Sequence, residues 1–355
     1  MNELDALLGG IVSEPLEETR WLVLADWLQE NDDHQRSELL QLHRRLLTTC
    51  CEPANHPERV VWQSRIVELI AAGIRPCIPQ KTLQLPGGGS MTLSFIPPGS
   101  FLMGGTDHDD EKPIHKVTLT KGFFVGVHPV TQAQWKAVMG TDPSHFKGDD
   151  RPVESVSWDD SQEFCARLTA ILKSITVELP SEAMWEYACR AGTTTEYYTG
   201  DGEEALKRCG WFWGNSESET RPVGQLAANA WGLYDVHGNV WEWCQDRYGP
   251  YEKPEVDPEE SPFASSAAGR GATTRATAAP RTVAGTSPCA GTTTSGSGFV
   301  SAWADPVGPT EGSARVLRGG SWYNHPSFCR AAYRNGRGPT SRTNSIGFRV
   351  SFRLD

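Results

Sequence analysis

Near the C-terminal end of this 355-residue chain, residues 318–350 read RGGSWYNHPSFCRAAYRNGRGPTSRTNSIGFRV. Its most reactive group is the thiol of Cys329. His325, four residues ahead, could supply a second metal ligand or a base, although a surface histidine beside a packed thiol gives the same pattern. A second chemical element is HGNVWEW at 237–243. There the Asn239 amide oxygen, a nearby backbone carbonyl and the Glu242 carboxylate are hard oxygen donors of the type calcium takes. Gly238 and Asn239 equally suit a tight turn with a left-handed Asn beside two core tryptophans.

The middle of the C-terminal stretch has another character. Between Tyr323 and Ser345 there is no Lys, Glu, Gln, Met or Trp. Randomising the adenines of the Asn codons AAC and AAT excludes those same five types, and residues 323–345 all fall within the permitted set. Recognition loops favour Tyr, Ser, Asn, Gly and Arg, because Tyr gives large contact area at low entropic cost and small polar residues adapt their hydrogen bonds. Tyr323, His325, Phe328 and Tyr333 are therefore expected as anchors. Asn324, Ser327, Asn335, Arg337, Ser341, Arg342 and Asn344 are expected as adaptable polar contacts, facing a protein or a small ligand. An ordinary polar loop is the competing reading. Arg318–Trp322 and Gly347–Arg349 would be scaffold, with paired Gly allowing close backbone approach and Trp322 and Phe348 burying the base.

Several elements must position this stretch. Residues 1–79 read as a small helical domain: Leu16, Trp21, Leu22, Leu24, Ala25 and Leu28, then Leu39, Leu40, Leu42 and Leu46, recur at helical spacing. Gly and Pro punctuate 76–89, which places a linker at 80–89 before a second domain at 90–355. In that domain MTLSFIPPGSFLMGG and HKVTLTKGFFVGVHPV alternate like short strands. Capping boxes at Thr131/Gln134 and Ser157/Asp160 open two helices. Ser181 caps a third, which Gly192 stops. At about 261–301 an Ala/Thr/Gly/Ser-rich insertion has too little apolar surface to offset its ordering entropy and reads as flexible. Within it, AGRGATTRATAAP and CAGTTTSGSGF are what a GC-rich copy of an RGGSWNN-type segment would encode one frame out.

The chain is long enough for one large domain with attachments or two ordinary ones. A net charge of −11 and a pI near 5.4 argue against a general nucleic-acid binder, leaving at most a local basic patch at Arg330, Arg334, Arg337 and Arg342. The acidic start MNELDALLGG is unlike a signal peptide and no apolar run approaches a membrane span, so the expected location is cytoplasmic. Nine scattered cysteines indicate neither a disulfide framework nor a zinc site. Thirteen Trp point to a Trp-rich core or face.

Six motifs in order, IPPGSFLMGG, HPVTQAQWKAVMG, RPVESVSWDDSQEFC, LPSEAMWEYACRAGT, NAWGLYDVHGNVWEWCQD and RVLRGGSW…IGFRV, closely resemble the formylglycine-generating enzyme, or sulfatase-modifying factor, superfamily. The resemblance implies an α+β, loop-rich, C-type-lectin-like fold, with HGNVWEW at a calcium site. The family's oxidases bind copper through two cysteines after GGS. Here Cys329 holds the second position and Asn324 the first, and an Asn amide is a poor ligand for soft Cu(I). A further branch uses non-haem iron on His-x-x-x-His-x-Glu; His34, His43 and His56 have other spacings. The C-terminal segment, ending in IGFRV, resembles the variable proteins of diversity-generating retroelements, whose contact residues are exchanged by adenine-directed mutation. TRWLVLADWLQENDD and RSELLQLH resemble a repeat-companion domain of many bacterial proteins; no activity follows from that resemblance, and a docking or assembly helix pair with a protein partner is the plain expectation for this segment. The expectation is a bacterial binding protein; the alternative is a copper-dependent oxidase acting on a protein cysteine, with Cys329 catalytic.

Overall fold

The computed structural model describes residues 2–52, 56–251, 303–306 and 308–353. The insertion expected at 261–301 lies outside them. The chain opens with helices α1 (Glu3–Ser13), α2 (Glu18–Glu30), α3 (His34–Thr49) and α4 (Arg59–Ala71). Asn2 and Asp5 form a capping box on α1, and the Asp33 side chain caps α3. Trp21, Leu24, Ala25 and Leu28 of α2 are buried against Leu39, Leu40 and Leu46 of α3. Leu16 and Leu22, expected on the same apolar stripe, are exposed. Leu16 precedes the helix, and Leu22 neighbours the inward Trp21 but points away from the stripe.

Residues 80–84 differ from expectation: they are not linker but strand β1 (Gln80–Gln84), paired antiparallel with β2 (Ser90–Ile96). The sequence QKTLQ buries only Leu83, as an edge strand does. Then come β3 (Gly99–Met103), β4 (His115–Leu119), β5 (Phe123–Gly126), α5 (Gln132–Met139), α6 (Trp158–Leu172), α7 (Glu182–Arg190) and α8 (Glu203–Cys209). The expected capping boxes open α5 and α6, and the Ser181 hydroxyl accepts from Met184 N to start α7. Helix α7 ends at Arg190, two residues before Gly192, with Ala191 itself left-handed.

Short strands follow: β6 (Gly210–Trp211), β7 (His237–Gly238), β8 (Trp241–Arg247), β9 (Trp303–Ala304), β10 (Arg315–Arg318), β11 (Arg334–Arg337), β12 (Ile346–Gly347) and β13 (Ser351–Arg353). One sheet runs β1-β2-β5-β13, so the chain's last strand returns beside β5, where Phe124 and Phe352 stack at 4.8 Å. A second sheet runs β11-β10-β8-β12. Residues 323–345 leave this sheet after β10, return as β11 at its edge, and cross to β12 on the far edge beside β8. Trp185, Trp231 and Trp243 fill the core with Phe95, Phe123, Phe164 and Phe212. Mixed helices and short sheets joined by long irregular segments make this the loop-rich α+β fold expected.

Candidate functional site: the C-terminal loop and its floor

The loop stands on arginines whose charges are buried and paired. Arg318 on β10 is fully buried; it meets Glu186 of α7 and donates to the carbonyls of Ala331, Ala332 and Tyr333 at 2.8–2.9 Å. Arg334 on β11 bonds Glu182 of α7 at 2.6 and 2.8 Å and the carbonyls of Asp110 and Gly249. Arg330 bonds Glu111 at 2.7 and 3.2 Å. A buried ion pair is stable only when each partner's remaining hydrogen-bonding capacity is met. These backbone carbonyls meet most of it, and the Arg318 Nε–H is left without a hydrogen-bond partner, 3.7 Å from Glu182. Burial alone would raise the Glu186 carboxyl; Arg190 and Arg318 outweigh it and hold that group below the usual range. The basic patch expected at Arg330, Arg334, Arg337 and Arg342 is therefore not a patch. Arg330 and Arg334 are interior, Arg342 pairs with Asp160 at 2.7 Å, and Arg337 alone of the four is exposed and outside any ion pair among the described residues.

Trp322 pins the two ends of the loop. Its backbone N–H donates to Asn239 O at 3.0 Å, its indole N–H to Asn344 O at 2.9 Å, and its carbonyl accepts from the Ser216 hydroxyl at 2.7 Å. Beside it Tyr323 is 48% exposed, its ring 5.2 Å from that of Trp322. Asn324 is half-buried; its Oδ1 accepts from the Ser321 hydroxyl at 2.6 Å and its backbone carbonyl from Trp213 N at 3.1 Å. Trp213, 62% exposed, was not singled out by the sequence. The alternation in GWFW, which sinks Phe212 while Trp211 is half-buried and Trp213 exposed, is the signal that could have found it.

His325 is exposed and caps a 3-10 turn over Pro326–Cys329, its Nδ1 accepting from Ser327 N. Phe328 and Tyr333 meet edge to face at 4.9 Å, and His108 joins Tyr333 at 5.1 Å. Asn335 lies half-exposed on β11, where its Oδ1 accepts from Gly336 N. Tyr323 with Asn324 and Asn344, and Phe328 with Tyr333, are thus brought together. Arg342 is held instead at the start of α6, and Ser341 sits in a turn closed by its N–H to Gly338 O.

Cys329 is fully buried, and burial pushes its thiol well above the ordinary value. The contact with residue 325 runs from Sγ to the backbone carbonyl at 4.0 Å, while the His325 ring faces Ser327. Gly320, at φ +73°, must be glycine because a Cβ would stand 2.5 Å from this sulfur. A buried thiol with Asn324 in place of the partner cysteine does not fit a copper site, and neither does the His325–Cys329 pair.

Asn239 is left-handed at φ +60°, and its amide both accepts from and donates to the Arg221 backbone, at 2.9 and 3.0 Å. The Glu242 carboxylate accepts from Arg349 at 2.6 Å on each oxygen and from the Trp185 indole at 2.6 Å. A calcium ion at this pair would have to displace a buried guanidinium, so the donor set does not fit calcium. Among the described residues no group of three or more His, Cys, Asp or Glu is arranged to hold a metal, and no helix is long and apolar enough to cross a membrane.

Comparison with known proteins agrees with this architecture. "Chaperone protein LppX" of Paenibacillus barcinonensis is 31% identical over 55% of this chain and 84% of that protein. The formylglycine-generating enzyme of Streptomyces coelicolor is 30% identical over 62% of this chain, which spans 59% of that enzyme's length and only 37% of the kinase pkn1 of Chlamydia caviae that it also matches. Among solved structures, Treponema denticola variable protein 1 superposes with a TM-score of 0.61 at 26% identity, covering 78% of this chain and 99% of that one. Residues 87–354 match the model of the sulfatase-modifying factor enzyme 1-like domain, and the chain belongs to that family.

Proposed function

We propose that this chain is a binding protein of the bacterial cytoplasm, related to the variable proteins of diversity-generating retroelements, that grips a protein or small ligand through the exposed side chains of residues 323–345. The observation that carries this reading is the division of labour within one short stretch. Cys329, Arg330, Ala331, Ala332 and Arg334 are buried and locked, while Tyr323, His325 and Arg337 face solvent and Phe328, Tyr333 and Asn335 are half-exposed. A scaffold so fixed from below tolerates exchange of what stands above it. The likeness to Treponema denticola variable protein 1 supports the same reading. On α2 and α4, Leu22, Val23, Val60 and Val61 are exposed, which supports a protein partner at the N-terminal helices.

The test is to sequence the gene and its flanks from many cells of one population. Substitutions concentrated in codons 323–345, beside a near-copy rich in AAC and a reverse-transcriptase gene, are expected. A uniform sequence without that neighbour removes the reading. The oxidase alternative rests on the formylglycine-generating relatives; it requires Cu(I) binding and conversion of a cysteine-containing sulfatase peptide, both lost in Cys329→Ala.

A further inference from the structure

Codons that straddle the reading frame of residues 264–299 can be compared with the chain itself. Each such codon takes the third base of one residue and the first two bases of the next. For T-A-A-P-R-T-V at 277–283 these codons are xAC, xGC, xGC, xCC, xCG, xAC and xGT, with x any base. They spell N-C-R-A-A-Y-R, against F-C-R-A-A-Y-R at 328–334. A-A-G-R-G at 267–271 spells R-G-G-S-W, as at 318–322, and S-G-S-G-F at 295–299 spells I-G-F-R-V, as at 346–350. The register runs without a gap from Ala264 against Arg315 to Phe299 against Val350.

The shifted frame can spell every residue of 315–322 and of 346–350. It cannot spell Tyr323, Phe328, Asn335, Arg337, Thr340 or Thr343, nor Gly338, Ser341 and Ser345. The structure sorts these positions. Every disagreement except Ser345 is exposed or half-exposed, whereas the buried Pro326, Cys329, Arg330, Ala331, Ala332 and Arg334 all agree. At Phe328, Arg337, Thr343 and Ser345 the shifted codon is xAC, and the chain's residue requires replacement of that middle adenine. Neutral drift in a copy that had lost its frame would scatter differences over buried and framing positions as well.

We propose that residues 264–299 are an out-of-frame copy of 315–350, and that Tyr323, Phe328, Asn335, Arg337, Thr340 and Thr343 are the diversified, specificity-determining contacts of the ligand face. The first half stands on the sequence alone; the second rests on the binding reading above. Of the polar contacts expected there, Arg342 agrees through xGG and is held by Asp160, whereas Asn324 and Asn344 agree through AAC, the codon that adenine-directed mutation exchanges.

The nucleotide sequence decides the copy. Codons for Arg270, Thr277 and Gly296 are each expected to end in T, because the shifted frame needs TGG, TGC and TTC. Any other ending overturns the copy. The two stretches should also share third bases outside 323–345; synonymous differences spread through 315–322 and 346–350 would overturn directed diversification. The contacts are decided by displaying the full chain with the six codons randomised and selecting on streptavidin. Binders should be recovered at least about tenfold more often than from a library randomised at Pro339 and Arg342, whose shifted codons xCC and xGG match the chain without an adenine, a ratio equivalent to about 1.4 kcal/mol. Equal or inverted yields overturn that assignment while leaving the copy and the population test of the binding reading independent.

Discussion

Glu242 and His43 show how far single side chains are committed to the interior. The Glu242 carboxylate neutralises Arg349, whose remaining N–H groups reach the carbonyls of Gly126 and Tyr234 at 2.9 and 3.0 Å. Glu242→Gln leaves a buried guanidinium uncompensated and should cost about 3–5 kcal/mol. Denaturation should give the same loss in EDTA and in millimolar calcium; a wild type that calcium stabilises and a variant that it does not would restore the metal reading. The sequence held both readings of Asn239 open, and could not close them because Arg221 and Arg349 meet this motif from distant segments. His43 lies on α3 with its ring 4.2 Å from Trp231, and burial with the nearby Arg44 pulls its imidazole down to about 3. A depressed histidine contributes stability that is present above the unfolded value near 6.5 and lost as pH falls toward the folded one. The stability difference between His43→Leu and wild type should therefore shift toward the variant by about 3 kcal/mol between pH 6.5 and 4. Parallel curves across that window would mean that His43 does not titrate with unfolding.

Elements were legible where the signal is local. Thr131 with Gln134, and Ser157 with Asp160, stand three residues apart and satisfy each other's helix ends, so the cap can be read without the fold. Strand β1 was not legible, because an edge strand exposes most of its side chains and QKTLQ carries no alternation. The loop between β10 and β11 shows both limits: its composition marked the exposed face, yet the pinning role of Trp322 depends on Asn239, Ser216 and Asn344, which the sequence separates. That role makes neighbouring aromatics unequal. Trp322→Ala should lower stability by about 3 kcal/mol, since it opens the base of the loop. Tyr323→Ala, one residue on and exposed, should change it by no more than about 0.5 kcal/mol. Thermal melts of the two variants separate scaffold from face, and equal losses would make Tyr323 a structural residue.

At the scale of the whole molecule, the N-terminal helices and the strands belong to one compact unit. The sequence could mark a boundary by composition, but it could not show what crosses that boundary. Arg59 of α4 donates to the carbonyl of Leu46 at 2.7 Å and to that of Gly192, beyond α7, at 2.6 Å. Gln63 reaches Thr195 at 2.7 Å, and Cys50 Sγ reaches Ser100 O at 2.7 Å. Between these contacts lies an apolar cavity of about 200 Å³, lined by Leu46, Ile66 and Ile70 on one side and Tyr198, Ala228 and Ala230 on the other. Buried carbonyls that lose their donor cost about 1–3 kcal/mol each. Arg59→Met fills similar volume but strands the carbonyls of Leu46 and Gly192, so it should destabilise by about 2–4 kcal/mol. Because the contacts tie helices and strands together, that loss should lower one shared transition, with far-ultraviolet and near-ultraviolet circular dichroism remaining coincident in wild type. If the helices instead melt first in wild type and Arg59→Met moves that step alone, residues 1–79 fold as an independent domain and Arg59 is only a surface clasp.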